Sequence, residues 1–375
     1  MILTLLAING VQAVGVISTI ALTNPNWVAY DSGKGEIFVI ASGRVSIISD
    51  NTNTVVATVA VGQTPDCLAY DSGKGEVFVT DNNSSAVYVI SDSTNTVVAT
   101  IPVGEHPEGL AYDSGKGEIF VSSFSSNSVC VISDSTNAIV ANITVGEGPL
   151  CLAYDSAKGE IFVVNSGSNT IGVVTQATSG SCSVISDSTN TVVATVTVGV
   201  VPFAIAYDSG KGEIFVSGLT NPYLVSTIYV ISDTTDTVVA NLTARTRLGF
   251  QTMGIAYDSG KGEIFVTDFN SSTVSVILDS TNIVAATVNV GAEPIGLAYD
   301  SGKGEVFVAS YKSSTVSVIS DSPSSSVSPS PTVPEFSSVA FILLVVATLF
   351  FAVIFVRWKS ASKHYMLGAG THQKP

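Results

Sequence analysis

The chain has 375 residues and a formal net charge of −15, with 12% charged and 46% hydrophobic residues. An acidic surface repels phosphate backbones, so this charge argues against a nucleic-acid partner. Hydrophobic residues before residue 337 show almost no helical spacing, and Gly, Ser, Thr, Val and Asn dominate the sequence. This composition predicts an all-β protein rich in turns.

The first 13 residues, MILTLLAINGVQA, combine a short apolar stretch with small residues around Ala13. A secretory signal peptide has these features, but it normally also has a basic start, which is missing here. Residues 1–13 are therefore interpreted as a truncated signal peptide. A weak anchor and an unstructured segment remain the alternatives.

Residues 14–321 consist of repeats, each marked by Ala-Tyr-Asp with its tyrosine at position 30, 70, 112, 154, 207, 257 or 299. Each repeat contains four stretches with strand character separated by turn residues, in a period of about 42 residues that is typical of propeller blades. The second and third stretches are continuously apolar, as in sheets covered on both faces. The sequence predicts a seven-bladed β-propeller with four-stranded antiparallel blades. A β-solenoid is the alternative, although its coils are usually shorter.

The two ends of the repeat region complement each other. The last repeat stops after its third strand, Val316–Ile319, while a spare strand, Val16–Ile20, precedes the first repeat. We expect residues 14–22 to pair antiparallel with Thr315–Ser320 and thereby close the ring, which removes an exposed sheet edge.

Two recurring polar motifs follow the strands, Asp-Ser-Gly-Lys-Gly-Glu after the first and Asp-Ser-Thr-Asn after the third. Neither has the spacing of a phosphate loop or a calcium loop, and Gly, Asn and Asp favour tight turns. We interpret both as turns, with no cofactor or metal site. His106 is the single histidine before the apolar run near the C-terminus, so no catalytic triad is recognisable.

The four cysteines are Cys67, Cys130, Cys151 and Cys182. Their spacing matches no zinc site. Cys67 and Cys151 occupy the same position in their repeats, which predicts small apolar core residues. A disulfide remains the alternative for an extracellular chain.

In a four-stranded meander the turns after the first and third strands share one rim, named here the turn rim. The loops after the second strand and the connections between repeats share the opposite loop rim. All insertions fall on the loop rim, within 165–181, 218–226 and 244–252, and insertions on one face commonly mark a binding face. Arg and aromatic residues are enriched in recognition surfaces. The predicted ligand-binding residues on this rim are Arg44, Phe124, Tyr223, Arg245, Arg247, Phe250, Phe269, Tyr311 and Lys312. The alternative is that long loops drifted where nothing constrains them.

Asparagines in Asn-x-Ser/Thr sequons are expected glycosylation sites if the repeats lie outside the cell. They are Asn82, Asn83, Asn142, Asn241 and Asn270.

The C-terminal part predicts a membrane anchor. A Ser/Pro-rich stalk at 322–336 precedes a transmembrane helix at 337–357, whose uninterrupted apolar run is 339–356. Arg357 and Lys359 follow this run, so the positive-inside rule puts the tail, 358–375, in the cytoplasm and the repeats outside. The predicted location is the cell membrane, with a single pass.

The repeats resemble the YVTN-repeat β-propellers of archaeal and bacterial surface proteins, including archaeal surface-layer-type proteins. The motif stands here as Phe78-Val79-Thr80-Asp81, Phe162-Val163-Val164-Asn165 and Phe265-Val266-Thr267-Asp268, and Pro334-Glu335-Phe336 resembles a PEF-type archaeal sorting signal. The resemblance implies a non-enzymatic cell-surface propeller for surface-layer structure, adhesion or ligand recognition, with surface-layer, glycan or protein partners. The alternative is an exported propeller enzyme, such as a calcium-dependent lactonase.

Overall fold

The computed structural model describes residues 14–167, 179–220, 225–243 and 252–321, which belong to one compact unit. The regular elements of these ranges are all β-strands. In this part of the chain there is no helix of the length and apolarity needed to cross a membrane. The predicted signal peptide, stalk, transmembrane helix and tail lie outside the described residues.

The strands follow the predicted repeats. Repeat 1 contains β2 (Pro25–Asp31), β3 (Glu36–Ala41), β4 (Arg44–Ser49) and β5 (Thr54–Ala60). Repeat 2 contains β6 (Pro65–Asp71), β7 (Glu76–Asp81), β8 (Ala86–Ser91) and β9 (Thr96–Pro102). Repeat 3 contains β10 (Pro107–Asp113), β11 (Glu118–Ser123), β12 (Ser128–Ser133) and β13 (Ala138–Thr144). Repeat 4 contains β14 (Pro149–Asp155), β15 (Glu160–Asn165), β16 (Ser179–Ser186) and β17 (Thr191–Val200).

Three further repeats complete the described chain. Repeat 5 contains β18 (Ile205–Asp208), β19 (Glu213–Thr220), β20 (Val225–Ser232) and β21 (Thr237–Thr243). Repeat 6 contains β22 (Ile255–Asp258), β23 (Glu263–Asp268), β24 (Thr273–Leu278) and β25 (Ile283–Asn289). Repeat 7 contains β26 (Pro294–Asp300), β27 (Glu305–Ser310) and β28 (Thr315–Ser320), and the N-terminal β1 (Gly15–Ala21) joins it.

The sheets are antiparallel meanders that meet at their first strands. Each first strand contacts the first strand of the next repeat, in the order β2, β6, β10, β14, β18, β22 and β26, and β26 contacts β2. The result is an all-β fold of repeated four-stranded antiparallel blades, consistent with the predicted propeller.

The core lies between neighbouring sheets. The second strand of each repeat carries one fully buried phenylalanine, namely Phe38, Phe78, Phe120, Phe162, Phe215, Phe265 and Phe307. Phe38, for example, packs against Leu68, Val77 and Val79 of repeat 2. Because these strands are covered on both faces, they read as continuous apolar runs.

The predicted pairing of the chain ends is confirmed. β1 pairs antiparallel with β28 from Gly15 opposite Ser320 to Ala21 opposite Thr315, with a bulge between Val16 and Ser18. Ile20 is buried against Val316 and Val318. The N-terminal strand therefore completes the last sheet.

One feature departs from the prediction of separate four-stranded sheets, because repeats 4 and 5 are joined into one eight-stranded sheet. β17 runs on to Val200, which pairs with Leu219 of the lengthened β19. Gly199 permits this approach, since a Cβ there would lie 2.3 Å from the Leu219 carbonyl oxygen. The insertion predicted within 218–226 thus partly extends strands instead of forming only a loop.

The turns of the turn rim also join neighbouring sheets. Asp71 closes its turn by accepting the N–H groups of Gly73 at 2.8 Å and Lys74 at 3.1 Å. The Lys74 ammonium then donates to the backbone carbonyl of Asp134 in repeat 3. The same lysine contact recurs between every pair of neighbouring repeats, from Lys34, Lys74, Lys116, Lys158, Lys211, Lys261 and Lys303.

Candidate functional site

A cavity of about 240 Å³ lies where the first strands begin, at the loop-rim end. Its walls come from all seven repeats, and the lining residues are Asn26, Trp27, Asp66, Cys67, Glu108, Gly109, Leu150, Cys151, Phe203, Met253 and Ile295. A recess of about 140 Å³ adjoins it and shares Trp27, Cys67, Gly109 and Cys151. Together they line the start of the space that the first strands enclose.

A β-bulge places the lining residues. In repeat 2, Pro65 pairs with Asp81 and Leu68 pairs with Val79. Two residues, Asp66 and Cys67, therefore lie opposite the single residue Thr80. The same shift occurs in the first strands of repeats 1, 3, 4 and 7. Bulges bend a strand and redirect side chains, and here they bring these residues to the cavity wall.

Hydroxyl groups on the second strands of four repeats bond to the backbone at the cavity wall. Thr80 Oγ1 accepts the backbone N–H of Cys67 at 2.9 Å and donates to the Glu108 carbonyl of the next repeat at 3.0 Å. Ser122, Ser217 and Thr267 make equivalent bridges in repeats 3, 5 and 6. Each bridge ties the wall of one repeat to the wall of its neighbour.

The lining residues differ from repeat to repeat, although the repeats are nearly identical elsewhere. At the position three residues before Ala-Tyr-Asp, the seven repeats carry Asn26, Asp66, Glu108, Leu150, Phe203, Met253 and Ile295. Repeats 1 to 3 therefore supply a polar, acidic half of the cavity. Repeats 4 to 7 supply an apolar half.

The acidic half contains a hydrogen-bonded carboxyl pair, Asp66 and Glu108. Burial and the hydrogen bond to Asp66 raise the pKa of Glu108 well above its usual range. Burial also raises the pKa of Asp66, and the hydrogen bond from Glu108 opposes that rise. Two hydrogen-bonded carboxyl groups cannot readily both ionise, so Asp66 and Glu108 share a proton and the pair carries at most one negative charge.

Asn82 orients this pair, since its Nδ2 donates to Glu108 Oε1 at 2.8 Å. Its amide is thus part of the site, and its side chain is half-buried. The other four sequon asparagines, Asn83, Asn142, Asn241 and Asn270, are exposed.

Cys67 and Cys151 line the cavity and are half-buried. Each also packs against a cluster of buried apolar residues, which agrees with the prediction of small apolar core residues. Burial, followed by the nearby Asp66 carboxylate, raises the pKa of Cys67 to about 12, so this thiol is uncharged at neutral pH. Cys130 and Cys182 are buried, and all four cysteines are free thiols.

An aromatic pair reaches across the cavity. Trp27 of repeat 1 and Phe203 of repeat 5 stack with ring centroids 6.1 Å apart and an interplanar angle of 18°. These repeats are not neighbours along the ring of first strands, so the pair spans the opening. It offers aromatic faces next to the acidic half.

The ligand-binding residues predicted on the loop rim are partly described. Arg44 and Tyr311 are exposed, and Lys312 forms an ion pair with Glu293 at 3.0 Å. Phe124 and Phe269 are half-buried instead of fully exposed, and Phe124 lies close to Gly148. The remaining four lie outside the described residues: Tyr223, Arg245, Arg247 and Phe250.

The described loop-rim residues come from four repeats and are spread around the rim, whereas the cavity residues converge. Sequence reasoning overlooked Asp66 and Glu108, and it named Asn82 only as a glycosylation site. Variation at one position of otherwise uniform repeats is the signal that could have found Asp66 and Glu108. Among the described residues, no group of three His, Cys, Asp or Glu side chains is arranged to hold a metal ion.

Comparison with known proteins gives a likeness of fold. No protein-family model matches the chain, and no curated protein sequence matches it. A solved structure of hydrazine synthase from Kuenenia stuttgartiensis is similar, with a TM-score of 0.73 and 16% sequence identity, over 80% of this chain and 96% of that chain. At this identity the similarity concerns the fold alone.

Proposed function

We propose that this chain is a cell-surface ligand-recognition protein: a seven-bladed β-propeller of the YVTN-repeat type, anchored by a C-terminal transmembrane helix. The described strands support seven blades, because seven first strands contact one another in a closed order. The apolar run at 339–356 and the basic residues after it support the anchor.

The observation that carries the proposal is the contrast between the two ends of the first strands. At the turn rim every repeat has the same Ala-Tyr-Asp, as expected where each repeat meets its neighbour in the same way. At the loop rim the lining residues differ in type, size and charge around a cavity. A concave site with apolar walls and a few convergent polar groups is the usual form of a small-molecule site.

The third strand of repeat 7 ends at the turn rim, and the proposed stalk, 322–336, follows it in the sequence. A PEF-type sorting signal at Pro334-Glu335-Phe336 is part of this proposal.

The test uses the full-length protein in membranes of its host. External protease should remove the repeats from intact cells while the tail stays protected. A panel of amines, carboxylates, amino acids and small sugars is then added at millimolar concentration, and the melting temperature is measured. A ligand at one hundred times its Kd should stabilise the fold by about 2.7 kcal/mol.

Cys151→Trp supplies the blocking variant, because Trp27 already occupies the equivalent position in repeat 1. Stabilisation should disappear in Cys151→Trp and persist in Ser93→Trp, whose site is exposed on the turn rim. A ligand that still stabilises Cys151→Trp would bind elsewhere. The absence of any stabilising compound would overturn recognition in this cavity.

An exported enzyme is the second candidate, and the Asp66–Glu108 pair favours it, because paired carboxyl groups with different protonation states can act as acid and base. The same panel separates the two functions. Bound compounds should be recovered unchanged, and the appearance of a product that requires Asp66 would establish the enzyme.

A further inference from the structure

We propose that the cavity binds an organic monocation, a protonated amine attached to an aromatic or other apolar group, with the ammonium at Asp66 and the apolar group against Trp27 and Phe203. This inference rests on the proposed function, because it names the ligand class of the same site.

The charge of the cavity favours a cation. Its lining contains two carboxyl groups and the amide of Asn26, and no lining residue in the described chain is basic. The lysine of each repeat is engaged at the opposite rim, where it contacts the neighbouring repeat. A cation in the cavity would therefore meet negative charge that no described lining residue offsets.

The negative charge of the carboxyl pair also matches the single positive charge of one amine. Asp66 and Glu108 share a proton, and Asn82 Nδ2 donates to Glu108 Oε1 at 2.8 Å, so the pair presents at most one negative charge to the cavity. Two further titratable groups contact the pair, Cys67 and Cys151, and burial raises the pKa of both thiols, so they stay neutral. A monocation balances this charge, while a divalent ion would require Glu108 to lose its proton.

The opposite half accounts for the rest of the ligand. Leu150, Met253 and Ile295 form an apolar wall, and the stacked Trp27 and Phe203 add aromatic faces. An ammonium near the face of a Trp ring gains cation–π attraction. At roughly 30 Å³ per water-sized group, a cavity of about 240 Å³ has room for on the order of eight such groups.

Phenethylamine is the probe, and phenethyl alcohol is its uncharged counterpart of nearly the same shape. Binding to the full-length protein in detergent is measured by calorimetry and by the change in tryptophan fluorescence, to which Trp27 and Trp358 both contribute. We expect the amine to bind at least about tenfold more tightly than the alcohol, the difference that 1.4 kcal/mol corresponds to. Phenylpropionate, the anionic probe, should not bind.

Two variants test the roles of the two carboxyl groups separately. Asp66→Asn introduces the residue that stands at the equivalent position in repeat 1, Asn26. It should abolish the preference for the amine and leave the weak binding of the alcohol unchanged. Glu108→Gln should keep amine affinity within about threefold, because a neutral amide can still donate to Asp66 and accept from Asn82. Glu76→Gln at the turn rim is the control and should change neither affinity.

Equal affinity for amine and alcohol would overturn the inference, and so would amine binding that survives Asp66→Asn. Equal losses in Asp66→Asn and Glu108→Gln would overturn the single shared proton. If calcium ions displace the amine at a concentration below that of the amine, the cavity is a metal site instead. If the alcohol or the anion binds at least as tightly as the amine and Cys151→Trp removes that binding, recognition in the cavity stands while the preference for an amine is excluded.

Discussion

Thr80 shows how one side chain connects the repeated scaffold to the cavity. Its hydroxyl pairs the Cys67 N–H, which the bulge leaves without a ladder partner, and also reaches the Glu108 carbonyl across the sheet boundary. Ile40, Val164 and Ala309 stand at the equivalent positions of repeats 1, 4 and 7. The hydroxyl bridge of Thr80 thus fixes the first strands that carry Asp66 and Glu108. A shift of one strand against the other would separate these two carboxyl groups.

Replacing Thr80 with Val should lower the free energy of unfolding by about 1–3 kcal/mol, because a buried N–H and a buried C=O lose their partner. Thr94→Val is the matched control, since Thr94 is exposed in a turn, and its effect should stay within about 0.5 kcal/mol. Urea unfolding of both variants gives the comparison. Equal effects would show that the bridge adds nothing to stability.

At the scale of elements, the N-terminal strand has two distinct faces. Ile20 is 7% exposed and packs on Val316 and Val318, whereas Ile17 is 44% exposed. Thr19 and Ala21, which flank Ile20, are exposed, as the two-residue period of a strand predicts, whereas Ile17 lies in the bulge between Val16 and Ser18. Because β1 comes from the other end of the chain, its buried face links the first and last repeats.

Ile20→Ala should therefore cost about 2–5 kcal/mol, the usual range for emptying a packed core position. Ile17→Ala in the same strand should cost less than about 0.5 kcal/mol. Thermal unfolding distinguishes the two variants. If both substitutions had the same small effect, ring closure by β1 would not contribute to the stability of the fold.

At the scale of the whole molecule, the turn rim concentrates acids. The glutamates that begin the second strands are Glu36, Glu76, Glu118, Glu160, Glu213, Glu263 and Glu305. Burial raises the pKa of each of these glutamates, and in most of them the nearest lysine partly opposes this rise. The net effect is a raised pKa in every case. The folded protein therefore binds protons more tightly at this rim than the unfolded chain does.

This difference sets the direction of the pH dependence. A raised pKa in the folded state means that stability is highest below the unfolded value, about 4.3 for Glu, and falls as the pH rises through the folded value. The melting temperature should be higher at about pH 5 than at pH 7.5. A melting temperature that rises from pH 5 to 7.5 would contradict this account.

Asp81 acts in the opposite direction at lower pH. Burial alone would raise the pKa of Asp81, but hydrogen bonds from Ser84 and Thr64 outweigh it and lower the pKa. Its contribution to stability is present above the unfolded value of about 3.9 and is lost as the pH falls below it. The maximum in stability should therefore lie on the acidic side of neutrality, above the range in which Asp81 titrates.

Much of the fold could be read from the sequence by itself. Seven copies of one motif determine the strand order, and continuous apolar runs identify strands that neighbours cover on both faces. The spare strand at one end and the missing strand at the other predict the pairing of β1 with β28. These features are local sequence patterns, or counts of such patterns, so they can be recognised in the sequence without the structure.

The tertiary structure alone decided where the chemistry lies. The bulge after Pro65 turns Asp66 and Cys67 to the cavity, and it depends on the register with β7. The Asp66–Glu108 pair and the Lys74–Asp134 contact each join two repeats, the latter across 60 residues. Strand periodicity reports which residues alternate within one strand. Contacts between repeats arise when the first strands close around a common space, and no pattern within a single repeat encodes that meeting.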